Sequence, residues 1–259
     1  MRVNETLVET VVGQIFSKKW TPTTCISDVP VILLHDSLGA VDLWRRFPEK
    51  LATALERPVI AYDRLGYGKS QARKELPTFE FIEEEGTKYF PIIKSKLEVD
   101  EYFLFGHSVG GAMAINIAAE DAQCLGVITL AAQAYIEDLT TQGINEAKSL
   151  FQRPGQMERL IRWHGQKAQW VLSAWTEIWL HPDFQTWRLH KVTSVSCPVL
   201  AIHGDKDEYG SVAFAEYIVG NSAGVSKVRI IKGAGHVPHK TEQAKVLLET
   251  IQFIQASVT

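Results

Sequence analysis

The sequence predicts an α/β protein, an open and mostly parallel sheet with helices on both faces. Short apolar runs at 29–34, 59–62, 101–105, 127–130, 199–202 and 227–231 carry the first half of that expectation. A strand buried on both faces reads as a continuous apolar run, not an alternating one. Helical patterns between these runs carry the second half, because strand–helix alternation builds parallel sheets. Composition agrees: 259 residues, 46% hydrophobic and 22% charged, suit one large folded core with at most a modest insertion.

The elements follow in order. Thr6, Leu7 and Val8, then Val11 to Phe16, read as two β segments with no evident turn signal between them. After the run at 29–34, a helical stretch is expected from about Leu43 to Leu55. Past the strand at 59–62 comes a glycine loop, Arg64-Leu65-Gly66-Tyr67-Gly68. Thr78 can then cap a helix running towards Leu97, with Glu80 in its first turn and Pro91 kinking or breaking it. Glu83, Glu84 and Glu85 read as its solvated face. Ala112 to Ala119 is apolar almost all round, so that helix should be deeply packed. The final helix is expected to place Ala244, Leu247, Leu248, Ile251 and Ile254 on one stripe.

Between the fourth and fifth of these parallel strands about sixty residues break the rhythm, and five of the seven tryptophans fall there: Trp163, Trp170, Trp175, Trp179 and Trp187. Leu160, Trp163, Lys167, Val171, Ala174, Trp175 and Ile178 follow helical spacing. Residues 135–190 therefore read as a helical insertion in a core made of residues 1–134 and 191–259, with most of the tryptophans forming its interior and one or two able to line an acyl pocket.

The sharpest chemical signal is Gly106-His107-Ser108-Val109-Gly110-Gly111, between a buried strand and a buried helix. Glycines let strand and helix pass closely, and the tight turn lifts a serine hydroxyl above the sheet. The first helical N–H groups then face outward, ready for an anion. A serine hydroxyl is a weak nucleophile and needs a base. Of the eight histidines, His236 and His239 lie in the loop before the last helix. The Gly233-Ala234-Gly235 turn favours His236. An acid must orient that base. His203-Gly204-Asp205-Lys206-Asp207-Glu208 follows the fifth parallel strand, and spacing alone leaves Asp205 and Asp207 both open.

These motifs resemble the α/β-hydrolase fold family, in its subgroup with a helical cap. The resemblance rests on His35-Asp36-Ser37-Leu38-Gly39, Asp63-Arg64-Leu65-Gly66-Tyr67-Gly68-Lys69-Ser70, the segment around Ser108, Gly204-Asp205-Lys206-Asp207 and Gly235-His236. It implies a small helical cap inserted after the family's sixth strand, and a catalytic set Ser108, Asp207 and His236 in the family's chain order. It places the oxyanion-hole N–H groups on Val109 and Ser37. Asp36 stands where relatives commonly have glycine, a departure that suits either a loop cap facing solvent or a changed oxyanion loop. Asp63 is expected to hold the loop below the site.

The implied activity is serine hydrolysis of a small-molecule carboxylic ester, with no cofactor and no metal. Thioesterase, acyl-carrier methyl esterase and carbon–carbon bond hydrolase are the neighbouring alternatives, and a non-catalytic ligand-binding protein is the rival of another class. Ser108 excludes the aspartate nucleophile of haloalkane dehalogenases, and Val237 stands where carbon–carbon hydrolases often carry tryptophan. Arg153, Arg159 and Arg162 read as solvated surface. A net charge of −3 gives no basic footprint for nucleic acid. No apolar stretch is long enough to span a membrane. Three cysteines without a Cys-x-x-Cys pair, and no apolar leader at the N-terminus, suit a cytoplasmic protein, monomer or homodimer.

Overall fold

The chain opens with a hairpin of β1 (Arg2–Thr10) and β2 (Gly13–Thr21). Its turn lacks the usual residues at Val11 and Val12, but Thr10 supplies the missing hydrogen bonds. The Thr10 hydroxyl donates to the Gly13 carbonyl at 2.5 Å and accepts from the Val12 N–H at 3.2 Å. Then come β3 (Val31–Leu34), α1 (Phe47–Leu55), β4 (Val59–Tyr62), α2 (Phe81–Glu84) and α3 (Phe90–Lys96). Next follow β5 (Tyr102–His107), α4 (Val109–Glu120), β6 (Cys124–Leu130), α5 (Asp138–Phe151), α6 (Gln156–His164) and α7 (Ala168–Trp179). The chain finishes with β7 (Val199–Gly204), α8 (Ala213–Asn221), β8 (Ser226–Ile231), α9 (Pro238–Thr241) and α10 (Gln243–Ser257). This is a computed structural model, and it describes residues 1–257.

The eight strands form one sheet in the order β1-β2-β4-β3-β5-β6-β7-β8. β2 runs antiparallel to both its neighbours, β1 and β4, and the strands from β4 across to β8 are parallel to one another. The central strands are buried on both faces, and their side chains alternate between two cores. Ile32, Leu34, Tyr102 and Leu104 point into the larger one with α4, while Val31, Leu33, Phe103 and Phe105 point into the one beneath α1 and α10. That two-sided burial is why these strands read as unbroken apolar runs.

Several local expectations need correction. The stretch from Leu43 to Leu55 is not one helix: a 3-10 turn at Val41–Trp44 ends at Arg45, whose φ of 55° breaks it before α1. Thr78 is not the cap of α2; its carbonyl accepts from the Phe81 N–H, and Glu80 holds the cap position. Pro91 does not break the helix. It lies just past a π-turn at Glu85–Tyr89 in a helical run continuous from Phe81 to Lys96, so the helix is distorted there and not ended. The glutamate run is not a solvated face throughout, since Glu85 is buried and bonded to the Tyr62 hydroxyl, and Glu83 accepts from the Trp187 indole at 3.2 Å. On α10, Ala244 and Leu248 are exposed, and Val246, Thr250 and Ile254 form the buried row with Leu247, Ile251 and Phe253 beside it.

Residues 135–190 hold α5, α6 and α7. Their ends meet: Tyr135 and Arg188 form an isolated antiparallel bridge, and the Leu189 N–H donates to the Ala134 carbonyl at 2.8 Å. Arg153, Arg159 and Arg162 are exposed, as the sequence suggests.

Candidate active site

Ser108 sits between β5 and α4 at φ 57° and ψ −127°. A non-glycine residue adopts that region only when its surroundings force it. The forcing groups are glycines. A Cβ on Gly106 would lie 2.1 Å from the Gly110 carbonyl oxygen, and one on Gly110 would lie 2.3 Å from the Leu34 carbonyl oxygen. Only glycine at both positions lets α4 start directly over the ends of β3 and β5. Val109 is the first residue of α4, so its N–H is among the donors that have no partner inside the helix.

His236 Nε2 lies 2.9 Å from Ser108 Oγ, and His236 Nδ1 lies 2.9 Å from both carboxylate oxygens of Asp207. Three elements far apart in sequence meet here: the turn after β5, the loop after β7 and the loop after β8. Asp207 Oδ1 also accepts from the Tyr209 N–H at 2.8 Å, and its Oδ2 lies 3.3 Å from His203 Nε2. Burial alone would raise the Asp207 carboxyl, but hydrogen bonds and charge from His203 and His236 hold it well below the usual carboxylate range. Burial alone would lower His236, and the hydrogen bond and charge of Asp207 outweigh it, raising the imidazole above its ordinary value. Asp205 makes a different contact, accepting from the Gly233 N–H. His239 is buried against Trp44 and His107, with ring centroids 5.0 and 4.7 Å away, and burial drives its pKa well down.

Asp36 is the departure that needs explaining. It caps its own loop, with Oδ1 accepting from the Leu38 N–H at 2.8 Å. Its second oxygen turns towards the protein, however. Its Oδ2 lies 3.1 Å from His107 Nδ1, and His107 Nε2 lies 2.7 Å from the carbonyl oxygen of His236. His107 thus bridges the Asp36 side chain and the backbone of His236, tying the loop after β3 to the loop that carries His236. Burial would raise the Asp36 carboxyl, but the hydrogen bond and charge of His107 hold it well below the usual range. Asp63 anchors loops from beneath, its Oδ1 accepting from the Val41 N–H at 2.6 Å and its Oδ2 from the Lys69 N–H at 2.7 Å.

Ser108 and His236 open into a cavity of about 150 Å³. Asp36, Ser37, His107 and Lys240 lie along one side, and Thr140, Ile144, Trp175 and Trp179 come from α5 and α7. Ser37 therefore shares the cavity with Ser108, whereas Val109 lies buried behind it. Three participants escaped the sequence: Gln133, whose Oε1 is 3.2 Å from Ser108 Oγ, Glu208, which accepts the His236 N–H at 3.0 Å, and His203. No local pattern marks Gln133 or Glu208, since their partners lie 25 and 28 residues away. Among the described residues, no three His, Cys, Asp or Glu side chains are grouped to hold a metal ion. No helix among them is long and apolar enough to cross a membrane.

The sequence model of the alpha/beta hydrolase fold family matches residues 29–173, more than half of the chain. Over 88 residues the chain is 34% identical to 1-acylglycerol-3-phosphate O-acyltransferase ABHD5 of Rattus norvegicus, covering 34% of this chain and 24% of that protein. Over 109 residues it is 30% identical to monoglyceride lipase of Mus musculus, covering 41% of this chain and 35% of the relative. The matched stretches thus span about a quarter to a third of those curated relatives. Proline iminopeptidase of Mycobacterium smegmatis has the same fold, with a TM-score of 0.75 at 18% identity and 98% of each chain covered.

Proposed function

The chain belongs to the alpha/beta hydrolase fold family, and on that premise we propose that it is a serine hydrolase of small-molecule carboxylic esters. The supporting observation is the unbroken run of hydrogen bonds from Ser108 Oγ through His236 to Asp207, each 2.9 Å. His236 takes the hydroxyl proton as Oγ attacks the ester carbonyl carbon. The N–H groups of Val109 and Ser37 receive the oxyanion. His236 then protonates the departing alcohol, and water repeats the sequence on the acyl-enzyme. Asp207 stays ionised and steadies the imidazolium. The Asp36 carboxylate is engaged by the Leu38 N–H and by His107 Nδ1.

In this reading residues 135–190 are a cap over the nucleophile, and α5 and α7 shape the acyl pocket through Ile144, Trp175 and Trp179. The pocket's 150 Å³ matches a cavity that takes benzene, so a short or aryl acyl group fits within it. The test is hydrolysis of p-nitrophenyl esters from acetate to long acyl chains, with Ser108→Ala as control. Turnover of the short esters that falls by about 10⁴-fold or more in the folded variant is expected. Wild-type rates in Ser108→Ala would overturn the reading. Tight ligand binding with no turnover by the wild type would favour a binding protein.

A further inference from the structure

Ser108 Oγ has a second side-chain partner besides His236. Gln133 is 5% exposed, in the bend after β6, and it lines the cavity beside the serine. Its Oε1 lies 3.2 Å from Ser108 Oγ. A hydroxyl carries one proton. His236 Nδ1 faces two acceptor oxygens of Asp207, so that nitrogen holds the ring proton, and in the neutral ring Nε2 is a lone pair. The Ser108 proton must then point at Nε2, 2.9 Å away. Oγ has nothing left to give an amide oxygen; it can only accept. The contact with Oε1 matches the other state, in which His236 is protonated and the hydroxyl is free to donate to Gln133.

A carboxamide has one end for each state. Apart from Ser108, the Gln133 amide makes no hydrogen bond among the described residues, so a half turn about its last side-chain bond exchanges its ends without breaking another contact. We propose that Gln133 is a further catalytic residue: whenever Oγ has no proton to give it, in the free enzyme with His236 neutral and throughout the acyl-enzyme, its Nε2–H donates to Ser108 Oγ and helps that oxygen leave the acyl-enzyme. The assignment rests on the acyl-enzyme reading above.

The step is deacylation. Water adds to the carbonyl carbon and its proton passes to His236 Nε2. The C–Oγ bond then breaks, its electron pair stays on Oγ, the His236 proton returns to Oγ, and the carboxylic acid departs. A donor aimed at Oγ stabilises the electron pair where it accumulates. In acylation the same hydrogen bond has opposed effects. It eases loss of the hydroxyl proton but ties up a lone pair of the attacking oxygen, so acylation gains less.

Pre-steady-state hydrolysis of the best p-nitrophenyl ester tests this in wild type, Gln133→Leu and Gln133→Glu. Both variants lack the donor at neutral pH, and Glu keeps an acceptor. In both, the steady rate after the first turnover should fall about 10- to 100-fold, with the first-turnover rate changed less than about threefold. A burst of p-nitrophenol near one equivalent per site and a matching fall in KM should follow. A merely structural role would not separate the two phases. Stoichiometric labelling of Ser108 by a fluorophosphonate keeps the two claims apart. Wild type that fails to label overturns both the acyl-enzyme and Gln133. Labelled variants that deacylate at the wild-type rate overturn Gln133 alone, and Gln133→Glu deacylating normally shows that the acceptor end is the one that matters.

Discussion

Two carboxylate–imidazole pairs stand side by side in this cavity, with the rings of His107 and His236 5.1 Å apart. Asp207 orients His236, and Asp36 faces His107. The pairs differ in what the far nitrogen meets. His236 Nε2 meets a hydroxyl, which can give it a proton, whereas His107 Nε2 meets the carbonyl of His236, which cannot. The first ring is free to act as a base. The second is held between Asp36 and a backbone carbonyl, a strut for the backbone of the first. The chemistry of such a pair is thus set by its third partner, not by the pair itself.

The largest effect should come from breaking the first pair. Asp207→Asn keeps size and shape but offers His236 an amide that favours the wrong tautomer. We expect kcat to fall on the order of 10⁴-fold with the fold retained by circular dichroism. A loss below about tenfold would mean that Asp207 does not orient the base.

The next effect is on pH dependence. The base works only when neutral, so kcat/KM should rise with pH. Because Asp207 raises the His236 pKa, the midpoint of that rise should lie above the ordinary imidazole value of about 6.5. Asp207→Asn should move the midpoint of its residual activity down. A midpoint unmoved by that substitution would detach the titration from this pair.

The first pair was far more legible than the second. Ser108 announces itself through the glycines at 106 and 110, because a strained turn needs them within the same few residues. His236 is marked by the turn before it. Asp207 could not be separated from Asp205 by spacing, since both leave β7 on the same short loop and only their directions differ. His107 and Asp36 were visible as residues but not as a pair, since they come from strands whose adjacency only the sheet order reveals. The same reason hid Glu85. Its burial depends on the π-turn and on Tyr62 across the sheet, whereas the sequence displays only three consecutive acids. Parallel strands were read correctly because their pattern is local. The row on α10 was shifted because Ala244 and Leu248 extend an apolar pattern that the sheet does not cover.

The smallest effect on turnover should come from the second pair, whose loss moves stability more than rate. Asp36→Asn leaves an oxygen for the Leu38 N–H and an amide group beside His107 Nδ1, so the carboxylate charge is removed without removing a partner. His107 Nε2 still donates to the His236 carbonyl. Turnover should therefore drop by less than about tenfold, with KM little changed. At neutral pH the variant should lose about 1–3 kcal/mol, the scale of one hydrogen bond to a charged group. The sign with pH follows from the depressed Asp36 carboxyl. Its stabilisation is present above the unfolded value near 3.9 and fades as pH falls towards the folded one. Thermal melts should show the gap between wild type and Asp36→Asn widest near neutrality and closing in acid, while the Asp207 contribution fades alike in both. A gap constant down to pH about 3 would mean that the Asp36 charge contributes nothing to the fold. A collapse of kcat as deep as that of Asp207→Asn would make His107 a partner in the chemistry, not a strut.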